Sequence, residues 1–167
     1  MSWGVLISGY VEHEHEHNAF NCLDLMQIEG ISPDAAIFTC VLKACANARD
    51  FKKGLTIYAE VARRGGMLHE DRCLGNALVY MYVHCGFVKM AREVFDLLPL
   101  QNEATWTILM EGYLRLGMGE EAVDCFEKMQ WGGFTPDSVT LNCISKVKAR
   151  NSKCFPSNQK ESLKTKT

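Results

Sequence analysis

The 167-residue sequence lacks any long apolar run. Stretches such as Leu97–Leu100 fall far short of the roughly 20 residues that a membrane-spanning helix needs. Its opening residues do not show a positively charged segment leading into an apolar one, the pattern of a secretory signal. No two cysteines stand closer than five residues, so the Cys-x-x-Cys spacing of zinc and dithiol sites does not occur. There is no Gly-rich phosphate loop after a strand pattern and no identifiable Ser/His/Asp arrangement. These absences point to a soluble protein, or a soluble piece of one, with no membrane partner, no metal site, no cofactor and no catalytic residues.

What is present is ordinary for a folded chain. An apolar content of 47% is too high for disorder over most of the length, and 167 residues suit one domain. The formal charge of −2 hides an asymmetry. Residues 1–145 carry 11 Lys/Arg against 19 Asp/Glu, whereas residues 146–167 carry 7 against 1. The body therefore has no overall field that would attract nucleic acid, and the basic end reads as a solvated tail. Most of the eight cysteines lie in apolar helical stretches, where a reduced thiol behaves as a small buried hydrophobe.

The chain repeats itself. At an offset of 103 residues Trp3 meets Trp106, Leu6 meets Leu109, Gly9-Tyr10 meets Gly112-Tyr113 and Ala19 meets Ala122. Cys22 then meets Cys125, Met26-Gln27 meets Met129-Gln130, and Pro33-Asp34 meets Pro136-Asp137. Residues 1–34 and 103–137 are thus copies of one unit. Units at 35–71 (37 residues, long) and 72–102 (31 residues, short) fill the interval, and the first helix of an incomplete fifth occupies 138–148. Residues 149–167 are expected to form a disordered basic tail.

Each unit carries helical periodicity twice. In the fourth, Trp106, Leu109, Met110, Tyr113 and Leu114 mark one apolar face, and Ala122, Val123, Phe126 and Met129 mark another. Gly117 and Gly119 break the run between them, and Pro136 forbids continuation. Asp34, Asp71, Asn102 and Asp137 each stand where they would cap the next helix. A lone hairpin of this size cannot bury its apolar face, but stacked copies can. The predicted fold is all-α, an α-solenoid of helix-turn-helix repeats, with first helices lining the concave side and Trp3, Trp106 and Trp131 packed within the hairpins.

The unit lengths, with Trp3-Gly-Val-Leu-Ile-Ser-Gly-Tyr10, Val41-Leu-Lys-Ala-Cys45, Gly75-Asn-Ala-Leu-Val-Tyr-Met-Tyr82, Cys85-Gly86 and Ala91-Arg-Glu-Val-Phe95, resemble plant pentatricopeptide repeats. The resemblance is to the subclass with alternating standard, long and short motifs, and it covers residues 1 to about 147. It implies sequence-specific binding of single-stranded organellar RNA, one base per repeat, in RNA processing or editing. It also implies location in a mitochondrion or chloroplast, with other RNA-editing proteins as further partners. Within it, the fifth and last residues of each repeat read the base. Carried onto this chain, these are Thr39 with Asp71, Asn76 with Asn102, Thr107 with Asp137, and Asn142 in the incomplete unit. Gly4, opposite Asp34, has no side chain with which to read.

The pair Thr107 and Asp137 resembles a guanine reader, and Asn76 with Asn102 a reader of cytosine rather than uracil. Thr39 with Asp71 has guanine chemistry in a long motif. The residues that pack the base face in the family are here mostly small: Ala36, Cys73, Ala104 and Val139. His13-Glu14-His15-Glu16-His17 contains a formal His-Glu-x-x-His, but the repeat alignment puts it in an exposed hairpin turn, where a zinc-protease helix has no place. The His-x-Glu and Cys-x-x-Cys set of a cytidine-deaminase-like domain is not found. Met1 lies only two residues before Trp3, which reads as a truncated first repeat, a fragment without its lead-in or a transit peptide. A helical scaffold for a protein partner, or a degenerate fragment with no independent function, remain the alternatives.

Overall fold

The computed structural model describes residues 2–99 and 101–152. Among them every regular element is helical: α1 (Trp3–Glu12), α2 (Glu16–Ile28), α3 (Ala35–Ala48), α4 (Phe51–Arg63), α5 (Met67–Glu70), α6 (Arg72–His84), α7 (Val88–Leu97), α8 (Glu103–Arg115), α9 (Gly119–Trp131) and α10 (Ser138–Ser152). The pairs α1/α2, α3/α4, α6/α7 and α8/α9 are hairpins. First helices pack in series, α1 on α3, α3 on α6, α6 on α8 and α8 on α10. Each second helix also packs on the first helix of the next hairpin. The molecule is an α-solenoid.

Local sequence sets the helix starts. Asp34 accepts from the Ile37 N–H at 2.9 Å, Asp71 from Cys73 and Leu74 at 2.8 and 3.1 Å, and Asp137 from Thr140 at 2.7 Å. Asn102 forms a reciprocal capping box with Thr105. The core runs between hairpins: Val41, Leu42 and Cys45 of α3 and Leu74, Leu78, Met81 and Tyr82 of α6 are all fully buried. Burial pushes the Cys45 and Cys125 thiols up to about 12, which suits packing and opposes nucleophilic chemistry.

Two expectations require correction. The last helix runs to Ser152 and not to 148, because Ala149 and Arg150 are good helix formers and no breaker precedes Pro156. The rest of the expected tail, 153–167, lies outside the described residues. Trp131 is 84% exposed, while Trp3 is half-buried and Trp106 is buried edge-on against Phe95 at 4.5 Å. Trp131 lies two residues past buried Met129, about 200° around the helix and so on its outer side. On α10 Ile144 and Thr140 are buried, whereas Leu141 is 46% exposed.

The hairpin turns share a backbone requirement. With units aligned on their first residues, Arg49, Gly86 and Gly117 are all the fifteenth, and Glu14 is the partner of Gly117 at the 103-residue offset. All four have positive φ, at 53°, 86°, 74° and 57° respectively. Two units use glycine there; two place an L side chain in the left-handed region, at a conformational cost. Glu14→Gly should therefore raise stability by about 0.5–1 kcal/mol, read by chemical denaturation.

Gly9 and Gly112 are the same repeat position in different surroundings. A Cβ on Gly9 would meet nothing within 4 Å, whereas on Gly112 it would lie 2.9 Å from Val83 Cγ1 and 3.2 Å from Val88 Cγ2. Those valines belong to the preceding hairpin and are stiff at χ1. Gly9→Ala should stabilise by about 0.5–1 kcal/mol through helix propensity. Gly112→Ala should destabilise by roughly 1–3 kcal/mol through overpacking, with thermal melting of the two variants moving in opposite directions.

Candidate nucleic-acid interface

A groove of ≈ 460 Å³ opens along the first helices. Its walls are Val11 and Glu12 of α1, Thr39, Lys43 and Asn47 of α3, Cys73, Asn76, Ala77 and Tyr80 of α6, and Ile108 of α8. No second helix contributes among the described residues. On α3 the lining residues fall at i, i+4 and i+8, and on α6 at spacings of three and four, so each helix presents one continuous stripe.

Of the sequence-derived reading residues, the groove brings together Thr39 and Asn76. The Thr39 Oγ1 is inaccessible to solvent and has no hydrogen-bond partner among the described residues. Asp71, Asn102 and Asp137 do not line the groove; they cap α6, α8 and α10. Thr107 is half-buried, and its hydroxyl donates to the Glu103 carbonyl at 2.9 Å, which leaves it acceptor capacity only. Asn142 is exposed on α10, away from the groove lining.

The caps fix which side-chain atoms remain for a ligand. The Asn102 Oδ1 accepts from both the Thr105 N–H and the Thr105 hydroxyl at 2.8 Å, so the amide faces outward as a donor through Nδ2. The Asp71 Oδ1 takes both backbone N–H groups, leaving Oδ2 as an acceptor. One residue type thus offers donors and the other acceptors at equivalent repeat positions.

Sequence reasoning missed Lys43, Asn47 and Tyr80. The signal was the stripe itself: Lys43 and Asn47 lie four and eight residues after Thr39, and Tyr80 lies four after Asn76. Tyr80 stacks on His84 with ring centroids 3.8 Å apart, and its carbonyl lies 2.9 Å from the His84 Nδ1. Burial holds the His84 imidazole below its ordinary range, with Arg115 and Arg49 adding to the shift. The histidine-rich segment breaks across a turn: α1 ends at Glu12, His13 and His15 are exposed in the connection, and His17 is exposed on α2. Its His-Glu-x-x-His therefore does not lie on one continuous helix.

The chain was compared with known proteins. Family profiles described as pentatricopeptide repeat domain, PPR repeat and PPR repeat family match residues 2–65, 76–100 and 101–147. Among curated relatives from Arabidopsis thaliana, pentatricopeptide repeat-containing protein At1g15510, chloroplastic, is 35% identical over 86% of this chain and 16% of its own length. A second, At4g25270, chloroplastic, is 35% identical over 86% of this chain and 27% of its own. A third, At1g06140, mitochondrial, is 32% identical over 83% and 25%. The chain thus spans about a sixth to a quarter of the length of these relatives. The crystal structure of the pentatricopeptide repeat protein PPR10 in complex with an 18-nt psaJ RNA element superposes with a TM-score of 0.74, at 20% identity, over 89% of this chain and 22% of that one. The structure of PPR10 from maize gives a TM-score of 0.73 at 20% identity, over 90% of this chain and 22% of that one. Repeat profiles, relatives and fold agree with the stacked hairpins seen here, and the chain belongs to the plant pentatricopeptide repeat proteins.

Proposed function

We propose that this chain binds single-stranded RNA along its first helices and selects sequence through polar side chains at their N-terminal ends, performing no chemistry itself. The observation that carries this reading is the groove, which Thr39 and Asn76 of successive first helices both line and where the Thr39 hydroxyl has no hydrogen-bond partner among the described residues. Single-stranded RNA is the polymer whose unstacked bases can offer their Watson–Crick edges to such a row. The RNA complex of PPR10 and the chloroplastic and mitochondrial names of the relatives support RNA as the ligand and an organelle as the setting. The role we assign is choosing sites for organellar RNA processing or editing, with other editing proteins supplying the reaction.

We read one base per repeat, with Thr39/Asp71, Asn76/Asn102 and Thr107/Asp137 as the reading pairs and Asn142 as an unpaired fifth. The cap geometry supports the assignment of bases. The outward donor of Asn102 suits the N3 acceptor of cytosine and not the N3–H of uracil. The free acceptor of Asp71 suits the N–H edge of guanine.

The test is selection of bound sequences from a randomised single-stranded RNA pool, followed by sequencing. Asn102→Asp keeps a good helix cap but turns a donor into an acceptor, so preference at one position should move from cytosine to uracil without loss of thermal stability. Thr107→Ala and Asp137→Ala should each relax guanine selection at one position, by about 1–3 kcal/mol if the contacts resemble other base-edge pairs. An unselected pool, together with retained binding to other solenoid proteins, would overturn the RNA reading in favour of a protein scaffold.

A further inference from the structure

We infer that Lys43 holds a backbone phosphate of the bound strand, giving the groove a contact that does not depend on base identity. The inference rests on the RNA reading above and adds a residue that the base-reading pattern does not include. Among the described residues that line the groove, Lys43 is the one cation and Glu12 the one anion. It stands four residues past Thr39 on the same stripe, a step of about 6 Å along α3. The flexible four-carbon lysine stem adds to that step, and together they span from a base edge to its own phosphate. A base edge at Thr39 therefore brings the backbone to Lys43.

The Lys43 ammonium is also available. Among the described residues, Lys53 is paired with Asp24, Lys128 with Asp124 and Lys148 with Glu127, whereas no acid engages Lys43, which is exposed. Glu12, on the α1 side, accepts a long 3.4 Å bond from the Ser8 hydroxyl and repels phosphate from that end. A second cavity, at the α8–α9 turn, includes Glu120 and Glu121 and no cation among the described residues that line it, and so repels phosphate. Because Ala36, Cys73 and Ala104 give a base little surface to pack on, a charge contact in the groove carries a larger share of the grip.

The experiment titrates the full chain against a randomised single-stranded RNA pool over a series of salt concentrations. It compares the unsubstituted chain with Lys43→Gln, Glu12→Gln and Lys89→Gln, the last removing an equal charge from the exposed side of α7. Lys43→Gln should weaken binding to the whole pool and make the slope of log K against log salt shallower by about 0.7, the value for one phosphate on a single strand. Glu12→Gln should tighten binding, and Lys89→Gln should leave the slope unchanged. Circular dichroism melting should be the same for all, since the three residues are exposed. Equal loss from Lys43→Gln and Lys89→Gln would show a diffuse field and overturn the inference while leaving RNA binding intact. An unchanged slope in Lys43→Gln would do the same. No binding of the pool by the unsubstituted chain would overturn the RNA reading, and this inference with it.

Discussion

The structure depends on the contact of one first helix with the next. A hairpin such as α3/α4 has too much apolar surface for its own two helices to cover, and α6 covers the rest. Val41, Leu42 and Cys45 meet this need from one side and Leu74, Leu78, Met81 and Tyr82 from the other, all without exposure to solvent. The close approach is also enforced by missing side chains. A Cβ at Gly112 of α8 would sit 2.9 Å from Val83 of α6, and where the second helix α4 meets α6 one at Gly54 would sit 2.6 Å from the Met81 sulfur. Since every first helix must touch the next, their remaining faces necessarily line up, and a continuous groove follows from the packing.

Caps tie folding to ligand chemistry. The residue that ends each unit must satisfy free backbone N–H groups at the start of the next first helix. Asp and Asn both do so through one oxygen, and the atom left over differs: a second acceptor for Asp, a donor amide for Asn. The fold is indifferent to the choice, because both cap well. A ligand is not. Under the proposed reading, stability and selectivity can therefore vary independently at one position.

Much of this was legible in the sequence because it is local. Apolar spacing of three and four, Pro136 after Gly132-Gly133 and the polar cap residues all act within a few residues, and the helices begin at 35, 72, 103 and 138 accordingly. What was not legible depends on neighbours. The left-handed turn position shows itself as glycine at 86 and 117, but Glu14 and Arg49 conceal it. Trp131 resembles a core residue until its place past Met129 sets it outside. Thr39 and Asn76 were found through the family resemblance, yet their sharing one groove with Lys43 and Tyr80 depends on how α3 lies against α6. No single helix contains that information.

Unequal units can coexist because length is absorbed away from the groove. The first helices α3, α6 and α8 have 14, 13 and 13 residues, although their units have 37, 31 and 35. The short unit loses its residues from the second hairpin arm: α7 has 10 residues where α4 and α9 have 13. The long unit spends its surplus after α4, where Gly65 and Gly66, both at positive φ, lead into the extra turn α5 before Asp71 caps α6. Arg64 closes this segment onto the previous unit, donating to the Pro33 carbonyl at 2.6 Å, pairing with Glu60 and lying over the Phe38 ring. Insertions and deletions in and after the second helices thus leave the lengths of these first helices nearly uniform. A row of side chains on those helices can then meet a polymer of regular repeat, even when the protein's own repeat is irregular.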